Sequence, residues 1–123
     1  MGDSKKGKVM SDCLFCKIAQ GETPADKVYE NDRIVAFNDI NAQAPVHVLI
    51  IPKKHIATMN EIEQNETQLY GELLLVAANI AKEKGIDDAG YRVVMNCNQD
   101  GGQAVYHIHL HLLGGRPMAW PPG

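Results

Sequence analysis

The sequence predicts an α+β domain: five strands in one antiparallel sheet, with one long and one short helix packed against it. Three observations carry that expectation. The strand-like runs are joined mostly by hairpin-length connections, which suit antiparallel neighbours rather than crossovers. One long segment after Asn65 repeats its apolar residues at helical spacing. The chain has 123 residues, enough for one modest core and too few for two.

Each element has its own local reason. Residues 1–11 mix Gly, Lys, Ser and Asp with little to bury, and read as a mobile arm before a domain of residues 12–123. Residues 14–20 form a short helix that stops at Gly21, a residue suited to the left-handed conformation past a helix end. Residues 27–30 and 33–38 are strand-like and meet at Asn31-Asp32, a hairpin turn. Residues 46–51 are β-branched and apolar, end at Pro52, and read as an inner strand. Asn65 with Gln68 three positions on resembles a capping box. It opens a helix whose Leu69, Leu73, Val76 and Ile80 share one face up to Gly85. Residues 91–96 and 105–113 complete the sheet, separated by the polar, Gly-rich loop 97–103.

Composition narrows the function classes. Twelve Lys and Arg against fifteen Asp and Glu give a formal net charge of −3, without the cationic excess a nucleic-acid binder needs. No apolar run approaches the roughly 20 residues of a membrane helix, and the first residues carry no apolar segment of a secretory signal. The expectation is a soluble, intracellular protein, cytoplasmic or also nuclear, with no membrane or nucleic-acid partner. Three cysteines are an odd set for a disulfide framework, and Cys13-x-x-Cys16 points to metal or redox chemistry. Cys97 reads as a small buried hydrophobe.

His107, His109 and His111 place three of the chain's five histidines in one alternating run with Ile108, Leu110 and Leu112. In a strand the imidazoles fall on one face and the aliphatics on the other. A lone buried imidazole is ordinarily a satisfied core group, but three together on a half-apolar strand would each need a partner, so the face reads as functional. Imidazole, with an ordinary pKa of about 6.5, is a ready nucleophile or general base at neutral pH. Its neighbours can move protons and balance charge. Loop 100–104 abuts that face, and the backbone around Gly101 and Gly102 suits an anion; without the histidines it would read as an ordinary hairpin loop. Together these features point to a phosphorus electrophile, whose transfer needs in-line positioning and compensation of negative charge.

The run His107-Ile108-His109-Leu110-His111-Leu112-Leu113 closely resembles the defining motif of the histidine triad (HIT) nucleotide hydrolases and transferases. Gly101-Gly102-Gln103-Ala104-Val105-Tyr106 before it, and the ending from Gly114-Gly115-Arg116 to Trp120-Pro121-Pro122-Gly123, resemble the Hint branch in particular. Phe37-Asn38-Asp39-Ile40, Gln43-Ala44-Pro45-Val46-His47 and Ile51-Pro52-Lys53-Lys54-His55 match as well. The likeness runs from Asp12 to Gly123.

That resemblance implies a HIT-like fold and a homodimer whose two sheets join. It implies purine nucleotides bound in a cleft and AMP or GMP cleaved from phosphoramidates such as adenosine 5′-monophosphoramidate, with no cofactor required for the chemistry. His109 is then the nucleophile, forming a transient nucleotidyl-imidazole that water hydrolyses. His111 bonds the α-phosphate oxygens, and His47 orients the nucleophile or relays a proton. Asn96, Gly102 and Gln103 match positions that approach the phosphate. Asp39 matches the ligand of the ribose hydroxyls, a role that suits a carboxylate facing two donors. Phe15, Ile18, Phe37, Asn38, Ile40 and Leu49 match the base and ribose pocket, although plain core packing is an equal reading for Phe15, Ile18 and Leu49. Trp120 resembles a C-terminal tryptophan that shapes the rim of the dimer's active site.

Two departures stand out. Ala104 occupies a position where Hint proteins commonly carry a serine that contacts the phosphate or leaving group, so that hydrogen bond is missing. Cys13 and Cys16 are absent from some Hint proteins; in relatives that carry them, the set corresponding to Cys13, Cys16, His55 and His107 binds a structural zinc in a closed tetrahedral shell. The competing reading makes both cysteines buried apolar residues and His55 a cap on a strand end. Three other functions fit parts of the pattern: a dinucleoside polyphosphate hydrolase of the same family, a hydrolase whose histidine face holds a catalytic metal, and a nucleotide-binding scaffold with little or no catalysis. The Gly-Gly-Arg and Trp-Pro-Pro-Gly ending disfavours the first, and the intact His47, His109 and His111 set disfavours the last.

Overall fold

A computed structural model describes residues 12–123, so the arm expected at residues 1–11 lies outside the described residues. The order is α1 (Leu14–Ala19), β1 (Lys27–Glu30), β2 (Ile34–Asn38), β3 (Val46–Pro52), two 3-10 turns, α2 (Thr67–Glu83), β4 (Tyr91–Val94), α3 (Asn98–Gly101) and β5 (Leu110–Gly114). The five strands make one antiparallel sheet in the order β1-β2-β3-β5-β4. This is the expected α+β arrangement.

Strands β2 and β3 are apolar apart from Asn38 and His47 because helices cover both faces of the sheet. Ile34 and Ala36 of β2, Val48 and Ile50 of β3, and Leu110 and Leu112 of β5 pack under Leu73, Val76, Ala77 and Ile80 of α2. The alternate residues Val35, Phe37, Leu49 and Ile51 face the other way and pack against Cys13, Phe15, Cys16 and Ile18. Period-two alternation thus sends one set of side chains to each helix. On β5 the side chain that alternates with Leu110 and Leu112 is His111, and there the α1 side of the sheet opens into the site.

Besides one-residue shifts at the ends of α1 and β3, four features differ from the sequence expectation. Asn31 Oδ1 accepts the N–H groups of both Arg33 and Ile34 at 2.8 Å, so the hairpin turn takes in Arg33 and β2 begins one residue later. Asn65 and Gln68 form no capping box; Glu63 and Glu66 form one instead, on the 3-10 turn Gln64–Glu66 that leads into the long helix. The loop after β4 contains the one-turn helix α3, and Cys97 is half-buried rather than buried. The last strand starts at Leu110 rather than at residue 105, and β4 correspondingly ends at Val94, opposite His111.

The late start of β5 has a clear cause. Two steps beyond the last pair, Ile50 with Leu110, the register would set Ile108 against Pro52, which has no N–H to donate. Its carbonyl instead takes the His107 Nε2–H at 2.7 Å, while the Ile108 N–H turns to Ile56 O at 2.8 Å. Residues 105–109 therefore leave the sheet.

Candidate active site

In the β3–β5 register His47 lies opposite Leu113 and Leu49 opposite His111. His47 and His111 are thus diagonal neighbours on one face, a relation that lets ring side chains touch. His47 Nε2 lies 3.0 Å from His111 Nδ1, and the His111 and His109 ring centres are 4.9 Å apart.

The backbone dictates which ring nitrogens carry protons. His109 Nδ1 lies 2.7 Å from His107 O, a group that can only accept, so Nδ1 carries the hydrogen and Nε2 keeps its lone pair. His47 Nδ1 accepts the Gln43 N–H at 3.0 Å, so its hydrogen sits on Nε2 and is donated to His111 Nδ1. His111 in turn carries its own hydrogen on Nε2. The imidazole face therefore presents one free lone pair, on His109, and one free N–H, on His111. A metal shared by these rings would need lone pairs at His47 Nε2 and His111 Nδ1 together. The Gln43 N–H forbids the first, which argues against the catalytic-metal alternative.

The loop that supplies Gln43 is itself held. Arg116 donates Nε–H and an Nη2–H to Gln43 O at 3.2 and 3.0 Å. At Gly115, φ is +90°, and an added Cβ would come within 2.8 Å of Pro45, so only glycine lets the chain pass there. The Gly-Gly-Arg segment after the histidines thereby fixes the tautomer of His47 from a distance.

Burial lowers the basicity of the whole set. It pushes His111 down to about 4, helped by the neighbouring His109 and His47 rings. His47 and His109 are lowered chiefly by burial as well, with the Asp39 carboxylate pulling each partly back. Neutral imidazole is the result, as a nucleophile requires. Asp39 Oδ1 accepts the Asn41 N–H at 2.8 Å, and its Oδ2 lies 3.3 Å from His47 Nε2.

His109 and His111 open into a cavity of about 360 Å³, a suitable size for a nucleoside. Ten of the nucleotide-contact candidates line it: Phe15, Ile18, Phe37, Asn38, Asp39, Ile40, Leu49, Ala104, His109 and His111. Phe15 stands edge-on to His109 at 5.1 Å and to Phe37 at 5.5 Å, tying the apolar wall to the imidazoles. Asn96, Gly102 and Gln103 are not brought to the lining. The Gln103 side chain is fully engaged elsewhere: Oε1 accepts the Asn98 N–H, and Nε2 donates to Ala57 O and Val105 O. The Gly102 N–H goes to Gln99 O. These residues brace the loop behind the site. Trp120 is also away from this lining, exposed and stacked under Arg92 at 5.9 Å.

The lining adds Leu14, Thr23, Pro24, Ala25, Asp26 and Val105, which sequence reasoning missed. The segment 23–26 carries no periodicity or motif. It reaches the site because Asn38 donates its N–H to Asp26 O and its side-chain Nδ2–H to Asp26 Oδ2, at 2.9 and 2.8 Å.

His107 faces a different centre. Its Nε2–H is given to Pro52 O, which leaves Nδ1 as a lone pair 3.4 Å from Cys13 Sγ, 3.5 Å from Cys16 Sγ and 3.3 Å from His55 Nδ1. Cys16 Sγ is 3.2 Å from His55 Nδ1. All four side chains are buried and their ligand atoms lie within 4.8 Å of one another, a set able to hold a metal ion. The two centres share His107: its ring belongs to the cluster and its carbonyl orients His109.

Comparison with known proteins agrees with this geometry. The family model for the HIT domain matches residues 20–118. The purine nucleoside phosphoramidase of Escherichia coli K12 is 51% identical over 105 residues, covering 85% of this chain and 88% of that protein. A HIT family hydrolase from Legionella pneumophila superposes with a TM-score of 0.90 at 58% identity, covering 91% of this chain and all of that one. A histidine triad protein from Clostridium difficile gives 0.87 at 49% identity, covering 89% and 96%.

Proposed function

The chain belongs to the HIT domain family, and on that premise we propose that it is a hydrolase of purine nucleoside phosphoramidates, acting through a nucleotidyl-histidine at His109. The observation that carries this reading is the single imidazole lone pair, on His109 Nε2, held toward a nucleoside-sized cavity by the His107 carbonyl. In the first half-reaction Nε2 attacks the α-phosphorus and the P–N bond breaks. The departing nitrogen takes a proton from solvent and leaves as the amine. In the second half water attacks the same phosphorus, the P–Nε2 bond breaks, and the nucleoside monophosphate and a proton are released. His111 Nε2–H donates to the phosphoryl oxygens throughout, a preorganised bond that strengthens as their charge grows. Asp39 takes the ribose hydroxyls, and Phe15, Ile18, Phe37, Ile40 and Leu49 enclose the base. With alanine at position 104, phosphate binding there is left to the backbone and to His111. Incubation with adenosine 5′-monophosphoramidate followed by an acid-free quench should give a protein mass increased by one nucleotidyl group, mapped to His109. Turnover with no such adduct under single-turnover sampling would count against covalent catalysis.

The pH profile follows from the lowered imidazole pKa values. The active form has neutral rings, and burial disfavours their protonation, so the acid limb of kcat/KM should lie below pH 6.5, with His111, pushed down to about 4, still neutral well into the acid range. An acid limb centred at or above 6.5 would show that the rings titrate as exposed histidines do.

The cofactor reading is a structural zinc held by Cys13, Cys16, His55 and His107. Bonds of about 2.3 Å to sulfur and 2.0–2.1 Å to nitrogen put tetrahedral ligand atoms roughly 3.4–3.8 Å apart. The four measured separations, 3.2–3.5 Å, lie close to that range. When bound, the ion would add a cross-link between α1 and the strand termini, with no open position for water.

A homodimer is supported by β4, an edge strand next to an apolar groove of about 270 Å³. The groove is lined by Met59, Tyr70, Leu74, Val93 and Met95 among others, and Leu74 is 55% exposed. The buried Tyr70 hydroxyl finds no hydrogen-bond partner among the described residues. Such a face needs a cover. Sedimentation should give twice the chain mass, and Leu74→Glu should shift it to the monomer; an unshifted mass would place the interface elsewhere.

A further inference from the structure

We infer that Asp39 is a positioning residue for the imidazole relay as well as a ribose anchor: its carboxylate lies against the Nε2 edge of His47, and its charge holds that polarised edge, and through it His111, in the orientation the phosphoryl group needs. The inference rests on the hydrolase reading above. The His47 ring is gripped at two edges. Gln43 N–H meets Nδ1 at 3.0 Å, and Nε2, which donates to His111 Nδ1 at 3.0 Å, lies 3.3 Å from the negatively charged Asp39 Oδ2. The Gln43 contact sets the tautomer but leaves the ring free to pivot about that nitrogen. The second grip removes the pivot.

Asp39 is itself anchored, since Oδ1 accepts the Asn41 N–H at 2.8 Å and its own N–H is given to His47 O at 2.9 Å. Backbone and side chain of the same residue thus bracket His47. The carboxylate has lone pairs for about four hydrogen bonds. The Asn41 N–H takes one and the His47 edge faces another, which leaves two for a pair of vicinal hydroxyls, so the two roles do not compete. A second consequence is electrostatic. Attack through Nε2 with Nδ1 still protonated puts a positive charge on the His109 ring, and Asp39 is the carboxylate beside this imidazole set. Its charge opposes that build-up at close range.

The test separates ribose binding from relay positioning by taking the hydroxyls away. Asp39→Asn keeps the shape and an acceptor for the Asn41 N–H but removes the charge facing His47. Wild type and variant are compared on adenosine 5′-phosphoramidate and on its 2′,3′-dideoxy analogue. With the dideoxy substrate position 39 has no ribose donor to bind, so the inference expects kcat to fall at least about tenfold there while KM changes little. In parallel, the His47 Nε2–H proton of 15N-histidine-labelled protein should resonate downfield in wild type. In the variant it should move upfield and exchange faster with water. Equal kcat for wild type and variant on the dideoxy substrate overturns the inference, as does an unmoved His47 proton. If wild type turns over neither substrate, the hydrolase reading fails instead, and the proton resonance alone decides whether Asp39 holds His47.

Discussion

His109→Ala should leave a folded protein that binds AMP and hydrolyses no phosphoramidate, with kcat reduced by about 10⁴-fold or more, as expected when a covalent nucleophile is removed. The ring is buried and touches Phe15 at 5.1 Å and His111 at 4.9 Å, so its loss opens a small void at the floor of the cavity. That void costs about 1–2 kcal/mol, well within what a domain of this size tolerates. The remaining machinery stays in place, because His47 is held by Gln43 and Asp39, and His111 by His47. Nucleotide affinity should therefore change by less than about tenfold, since the apolar wall and Asp39 do not depend on position 109. Calorimetry with AMP and a single-turnover assay on the same preparation check both halves. Appreciable residual turnover would move the nucleophile to another group or to water and remove the basis of the proposed mechanism.

The second large effect concerns the cysteine–histidine cluster. Purified protein should carry one zinc per chain, and removing it by chelation, or replacing Cys16 with Ser, should destabilise the fold by about 3 kcal/mol, roughly 10 °C in Tm. The reason lies in α1. A six-residue helix has no stability of its own, and it is tied to the sheet through Cys13, Cys16 and the aromatic contacts of Phe15. Stripped of an ion, the cluster leaves two thiols and two imidazoles buried together, joined at best by weak S–H···N bonds. Because Phe15 touches both His107 and His109, and the His107 carbonyl orients the nucleophile, activity should fall along with stability. A metal-free preparation with Tm unchanged by Cys16→Ser would show that α1 is held to the sheet without an ion.

The alternation of residues 107–113 made the imidazole face legible, yet one of its three rings ends up elsewhere. Periodicity treats His107, His109 and His111 alike. Pro52, distant in sequence, ends the ladder and redirects His107 to its own carbonyl, while His109 and His111 remain at the cavity. The two glycines of the loop suit an anion by composition, and the resemblance adds Gln103, but Gln103 and Gly102 use their polar groups to brace that loop. Composition records which donors exist, and only folding decides which of them are consumed internally.

By itself the sequence determined the sheet, the long helix and the alternating imidazole run, because period-two alternation and spaced apolar residues are properties of the chain alone, whereas His47 and Asp39 became candidates through the family resemblance. The tertiary structure decided the protonation of each ring and the convergence of Cys13, Cys16, His55 and His107. It also brought residues 23–26 to the cavity wall. Those outcomes depend on hydrogen bonds between segments far apart in the chain, such as Gln43 to His47 and His107 to Pro52, and no local pattern encodes such a partner.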